Sequence, residues 1–341
     1  MGKHFIRYLK TGGIHYIDYL LHRIFYPVET KAKILVLGAG AVGLPFAAKL
    51  SSVADVVAVS RERYSRAITS NGLSIHGAWG SGTYRFRCTI EPPDNEDFDY
   101  ILITAKSNDT EQICRTYADL IRGRNVASFQ NGIGNEETIQ RYTDRVIGGV
   151  VMTGFVTEGN REIAVTANAG AMKIGRFPTG LDPDIAGLAS LMGRAGIPVE
   201  ITDRIRDQLW SKNMINCALN PLSAIMEVPY GALKEQHCWA IIEDLVREIY
   251  SVTRADGINP LWGDPDAFLG YLHGALIPVM ADHCSSMLQD IRHGHRTEID
   301  YLNGAVVLAG KRTGVGTPVN SGLCDCIRFR QNQFKHEITG F

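Results

Sequence analysis

The stretch KAKILVLGAGAVGLPFAAKLSSVADVVAVSRER, residues 31–63, limits the fold more than any other part of the chain. A short apolar run, Ile34–Leu37, suits a strand buried on both faces. Gly38, Gly40 and Gly43 follow in the spacing G-x-G-x-x-G, and an Ala-rich helical segment comes directly after. DVVAVS, residues 55–60, reads as the second strand. Glycine at the first position allows a tight turn, at the second lets backbone approach a pyrophosphate, and at the third lets helix and strand pack closely. The helix then presents unpaired N–H groups and the positive end of its dipole to an anion. The spacing alone is weak; placed between a strand and a helix it predicts a dinucleotide site over Gly38, Ala39, Gly40, Ala41, Val42 and Gly43.

The end of the second strand selects the dinucleotide. A carboxylate about 20 residues after the loop suits the ribose hydroxyls of NAD. Here the strand ends in Ser60 and Arg61, with Glu62 just beyond. A guanidinium suits a 2′-phosphate and a carboxylate would repel it. The expectation is NADP(H), with Arg61 on the phosphate.

Alternation of strand and helix continues. DYILITAK (99–106), NVASFQN (125–131) and RVIGGVV (145–151) read as strands, with helices over 109–122 and 136–142 between them. Repeated β-α units imply a doubly wound, mostly parallel sheet. Strand-like pieces EIAVTA, AMKIGRF and PVEIT, with a helix over 184–195, carry the pattern to about residue 203. Beyond it helical periodicity dominates, broken at Pro221, Pro229–Gly231, Pro260, Pro278, Gly294 and Gly314. The expected architecture is an α/β doubly wound sheet over 31–203 joined to an all-α domain over 204–335. Residues 1–30 form an extension in which Ile14, Ile17, Leu21 and Ile24 recur at helical spacing. It is expected to pack on the body or on a second copy of the chain, which leaves a homodimer open; an interfacial membrane helix is the less favoured alternative.

Composition narrows the partners. The net charge of −1 gives no footprint for nucleic acid or an acidic membrane. Seven cysteines without a C-x-x-C suggest neither a disulfide framework nor a zinc site, and a reducing cytoplasm fits them. His293 and His295 form H-x-H without a third ligand at a suitable spacing, so no metal is expected.

Chemistry is carried by WSKNMINCALNPLSAI, residues 210–225. Lys212, Asn216 and Asn220 sit four apart and share one helical face, while Leu209, Trp210, Met214, Ile215, Cys217, Ala218 and Leu219 fill much of the remainder. A buried ammonium and two buried amides are costly without partners. Those partners are either other protein groups or a ligand. Cys217 reads as a small buried hydrophobe. A second polar cluster is HCSSMLQDIRHGHRTEIDYLNG, residues 283–304. Ser285–Arg292 fits one helix; Gly294 breaks it; Thr297 is expected to cap a new helix with Glu298 in its first turn. Asp290 is expected to pair within this hairpin.

With these residues in view the chain resembles the ketopantoate reductase (2-dehydropantoate 2-reductase) family. The matching pieces are LGAGAVG (37–43), AKSNDT (105–110), QNGIGNEE (130–137), LWSKNMINCALNPLSAI (209–225) and SSMLQDIRHGHRTEIDYLNG (285–304), over residues 31–320 or so. The resemblance implies an NADPH-binding Rossmann-type domain, a helical domain and a site between them. It implies Lys212 as catalytic acid, Glu298 beside cofactor and substrate, Asn216, Asn220 and Ser286 on a small 2-keto acid, and Lys106 and Asn131 at the nicotinamide end. One departure stands out. Many members of that family carry an Asn before the glycine equivalent to Gly231, where it touches the substrate hydroxyl; VPYGAL places Tyr230 there.

The expected activity is NADPH-dependent reduction of 2-dehydropantoate to (R)-pantoate, feeding pantothenate and coenzyme A synthesis. The alternatives are reduction of another branched 2-keto acid, a β-hydroxyacid-type dehydrogenase, and a non-catalytic NADP(H)-binding regulator.

Overall fold

A computed structural model describes residues 31–339 apart from 95 and 169, so the helix expected within 1–30 lies outside the described residues. Twelve strands are described. In chain order they are β1 (Lys33–Leu37), β2 (Asp55–Val59), β3 (Leu73–Gly77), β4 (Gly82–Tyr84), β5 (Arg87–Thr89), β6 (Tyr100–Ile103), β7 (Asn125–Ser128), β8 (Val146–Val150), β9 (Thr153–Thr157), β10 (Glu162–Asn168), β11 (Met172–Arg176) and β12 (Val199–Ile201). Eight of them form one sheet in the order β12-β11-β8-β7-β6-β1-β2-β5. Neighbours run parallel except β11 against β8. Alternate residues of β1 enter opposite cores: Ile34 and Val36 pack on one face of the sheet, Leu35 and Leu37 on the other. A strand covered on both sides is why this run reads as uninterrupted hydrophobe.

The chain goes from β1 to β2 on one side, then crosses to β6 on the other. The carboxyl ends of β1 and β6 therefore diverge at a switch point, where open α/β sheets bind ligands. The glycine loop leaves β1 there and leads into the helix Gly43–Leu50; Lys106 follows β6 at the same edge.

Sequence reading missed a second sheet, β4-β3-β10-β9, in which β10 pairs β3 in parallel and β9 antiparallel. Its β3 alternates buried Leu73 and Ile75 with half-buried neighbours over only five residues, and β4 has three residues of which none is buried.

From Ile205 onward the described chain is helical. The helix Ile205–Met226 joins the two halves. Ile205 and Leu209 pack in the core against β8, and Trp210 begins the core of the helical half. Gly148 in β8 makes room: a Cβ there would lie 2.7 Å from Ile205. Pro221 sits inside this helix. Proline has no N–H, so the bond due to the carbonyl of Cys217 cannot form. Asn303, at the start of the helix Asn303–Thr313, supplies it instead through Nδ2, 3.2 Å away. Asn303 is fully buried and also donates to Asn320 at 3.0 Å.

The expectation at Thr297 needs correcting. No helix starts there; residues 298–302 form turns and the helix starts at Asn303. Thr297 Oγ1 does accept from the N–H of Ile299 at 3.4 Å, as a cap would, but turns follow it and the helix begins only at Asn303.

Candidate active site

The glycine loop is shaped by what its neighbours exclude. Gly38 has φ +70°, and a Cβ on it would fall 2.4 Å from Cβ of Ala105. One on Gly43 would fall 2.1 Å from Oγ1 of Thr104. One on Gly40 would meet nothing closer than 3.9 Å. Two glycines thus let the loop pack on the end of β6, and the middle one leaves open space over its backbone. That is the division of labour a bound pyrophosphate needs. Ala39 donates its N–H to Val59 at 2.8 Å, and Ser60 Oγ donates to the Ala39 carbonyl at 2.6 Å. The end of β2 is thereby tied to the loop.

Arg61 caps the following helix, exposed, with its guanidinium 5.4 Å from the Tyr64 ring centre. Arg63 lies over the same ring at 4.7 Å, a second cation that sequence reading did not assign. Glu62, the carboxylate that could oppose a phosphate, is paired with Arg66. These residues fit a dinucleotide with a 2′-phosphate: Gly38–Gly43 for the pyrophosphate, Ser60 and Arg61 for the adenosine ribose.

Across the switch point the helical half supplies side chains. Lys212 Nζ donates to Asn131 Oδ1 at 2.7 Å. Asn131 Nδ2 faces Glu298 Oε2 at 3.5 Å. Glu298 is 6% exposed; its other oxygen accepts from the backbone N–H of Ser107 at 3.0 Å and lies 3.1 Å from that residue's hydroxyl oxygen. One amide thus stands between an ammonium and a carboxylate. Burial pulls the pKa of Lys212 down to about 8, and the nearby Glu298 carboxylate opposes that fall. An ammonium with a pKa near neutrality can hold or release a proton with little driving force lost.

Asn131 itself is held from behind. Its carbonyl accepts from Ser107 Oγ at 2.6 Å and from Asn135 Nδ2 at 3.0 Å. Asn135 in turn accepts from Thr110 at 2.7 Å. The segment is also pinned to the helical half: the N–H of Ile133 donates to the Tyr301 carbonyl at 2.8 Å, and a Cβ on Gly132, at φ +84°, would fall 2.6 Å from that oxygen.

Asn131, Asn220, Ser286 and Glu298 line one small cleft with Asp290, walled by Met287 and Leu302. Lys212 reaches it through Asn131. Asn216 lies half-buried between Lys212 and Asn220 on the helix and is not among the lining residues. Ser286 starts the helix Ser286–Arg292, whose cap is Ser285 Oγ on the N–H of Leu288 at 3.0 Å.

Asp290 departs from expectation. It pairs not within its hairpin but with Lys106 on the other wall, Oδ2 to Nζ 2.8 Å. Burial alone would lower the pKa of Lys106; the Glu298 and Asp290 carboxylates more than reverse that and raise it. Ser107 was missed as well, although it lies beside Lys106 in the quoted motif. Cys217 is fully buried with its thiol pKa raised by burial, as a packed hydrophobe should be. His293 and His295 stack on each other, exposed, at 5.9 Å.

Comparisons with known proteins agree on one family. Its two models, Ketopantoate reductase PanE/ApbA and Ketopantoate reductase PanE/ApbA C terminal, match residues 34–179 and 204–331. A 2-dehydropantoate 2-reductase of Pyrococcus horikoshii is 32% identical over 302 residues, covering 88% of this chain and 98% of its own. A solved PanE/ApbA family ketopantoate reductase from Ralstonia eutropha superposes with a TM-score of 0.81 at 29% identity, covering 89% of this chain and all of its own. D-Mandelate dehydrogenase, solved with NADH and anilino(oxo)acetate, superposes at 0.79 with 24% identity over 89% of this chain and all of its own, a likeness of fold alone.

Proposed function

The chain belongs to the ketopantoate reductase family, and from that membership we propose that it reduces 2-dehydropantoate to (R)-pantoate with NADPH, a step toward pantothenate and coenzyme A. The observation that carries the chemistry is the half-buried ammonium of Lys212 held 2.7 Å from Asn131, just beyond the end of β7.

NADPH, when bound, supplies a hydride to the ketone carbon. As that carbon becomes tetrahedral its oxygen turns anionic. Lys212 places a positive charge there and then gives up a proton, so the product is a neutral alcohol. Glu298 keeps that lysine charged against its own burial. Asn131, fixed by Ser107 and Asn135, aims the ammonium. Asn220 and Ser286 offer donors for the carboxylate and hydroxyl oxygens of the keto acid. Lys106, bonded to Asp290, spans the two walls where the nicotinamide end and the keto acid would meet.

No helix among the described residues is long and apolar enough to cross a membrane, and all seven cysteines are free. The reading therefore extends to an enzyme of the reducing cytoplasm acting on a small, freely diffusing keto acid. Light scattering of the full chain tests whether it pairs with a second copy.

The deciding experiment is turnover of a panel of 2-keto acids with NADPH and with NADH. The highest kcat/KM is expected for 2-dehydropantoate with NADPH. Equal use of NADH would sink the cofactor assignment, and a better branched keto acid would replace the substrate.

A further inference from the structure

The corner of the cleft around Asn220 is built more deliberately than its neighbours. Asn220 is 5% exposed yet lines the cleft. Its backbone carbonyl accepts from Ser285 Oγ at 3.4 Å. Its side-chain oxygen accepts from the hydroxyl of Tyr230 at 2.5 Å, the shorter of the two bonds. Tyr230 is itself 5% exposed and is anchored by its backbone: its N–H donates to the His283 carbonyl at 3.0 Å, and Gly231 donates to Ala281 at 2.8 Å. Its ring packs against His283 with centres 5.1 Å apart.

An asparagine amide can turn over and exchange its donor for its acceptor. The Tyr230 hydroxyl settles which way round it sits. Turned over, the amide would donate to the phenol oxygen and leave the phenol proton buried without an acceptor, an arrangement that buried polar groups avoid. Burial also lifts the phenol pKa above the ordinary tyrosine value, so the proton stays in place. With Oδ1 occupied, Asn220 meets the cleft through Nδ2, as a donor.

We propose that Tyr230 is a positioning residue for the substrate: through its hydroxyl it fixes the Asn220 amide with Nδ2 toward the cleft, so that this corner recognises an acceptor oxygen of the 2-keto acid and disfavours a ligand presenting N–H. The proposal rests on the reading of the cleft as a 2-keto acid site. It adds a role for a residue that is not among those lining the cleft.

The test is a double-mutant cycle with Tyr230→Phe and Asn220→Ala, assayed with NADPH and the best keto acid. Tyr230→Phe keeps the ring and removes the hydroxyl. Its KM for the keto acid is expected to rise about tenfold, with kcat within twofold and NADPH affinity unchanged. In the Asn220→Ala background the same change should add less than twofold, because Tyr230 acts through that amide. Asn220→Asp, which retains an acceptor for the phenol but turns an oxygen toward the cleft, should raise KM further than Tyr230→Phe and stands in if the phenylalanine variant folds poorly. An unchanged KM in Tyr230→Phe or in Asn220→Asp overturns the proposal. So does an equal KM rise with and without Asn220, or a loss of melting temperature with no shift in KM. Absence of any keto acid turnover by the unaltered protein would instead remove the functional reading beneath it.

Discussion

At the glycine loop, on the wall formed by β1 and β6, what is offered to a ligand is backbone, and the side chains that matter are the ones left out at Gly38, Gly40 and Gly43. On the facing wall, the helix Ile205–Met226 and the turn at Glu298 work entirely through side chains. The first wall needs shape and one dipole; its chemistry is the cofactor's. The second must hold a charge in a dry place, so it needs partners gathered from far along the chain. The contrast implies that damage to one wall shows as lost cofactor binding and damage to the other as lost turnover.

The strongest test of that division is Lys212→Ala. Steady-state kinetics should show kcat reduced by roughly 10²–10⁴, the range for a general acid, while fluorescence titration finds NADPH affinity little changed. A kcat near that of the unaltered protein would break the comparison.

The next test separates the glycines from one another. Gly43→Ala must fit a methyl 2.1 Å from Thr104 Oγ1, which is overpacking and should cost about 1–3 kcal/mol of stability. Its melting temperature falls. Gly40→Ala meets nothing closer than 3.9 Å; thermal denaturation should be unaltered while NADPH binding weakens. If Gly40→Ala melted early, or bound NADPH normally, the open space above that residue would not be a ligand's.

How much of this was legible in the sequence follows the same division. The loop and its flanking elements are local, and β1, the turn and the helix Gly43–Leu50 lie where the pattern put them. Lys212 and Glu298 were marked by residue type and by family motif. Their partners were not. Glu298 bonds Ser107 across 191 positions and Lys106 meets Asp290 across 184; no local spacing encodes such a pair. Asp290 was assigned to its own hairpin because only near neighbours are visible to a periodicity argument. The small second sheet escaped for a different reason. Its strand β3 alternates Leu73 and Ile75 over only five residues and β4 spans three, too short a stretch for the alternation to stand out from a loop.

A smaller effect is expected at Arg61. One exposed cation on a 2′-phosphate should make Arg61→Ala about tenfold weaker toward NADPH, within the range for a charge-assisted bond, and leave NADH unaffected. The ratio of the two kcat/KM values reports it. Arg63, over the same ring, is the residue that would soften the loss.

The last test is the finest. With the Lys212 pKa near 8, keto acid reduction should hold steady at lower pH and fall as pH rises through about 8, as the ammonium loses its proton. Glu298→Gln removes the carboxylate that props that pKa up, so the limb should move to lower pH. A pH–rate profile with an unmoved limb would show that the two walls meet without electrostatic contact.

Pro221 gives the active face a dependence that its own helix does not disclose. The carbonyl of Cys217 is claimed by Asn303, 86 positions downstream, so the turn carrying Asn220 is braced from outside rather than by its own ladder. Asn303 lies five positions after Glu298, at the start of the next helix. Hydrogen exchange on this segment would therefore follow the fortunes of residues 298–303, and a mutation there could silence Asn220 without touching it. The amide of Asn220 and the carboxylate of Glu298 share a common brace, and would loosen or tighten together.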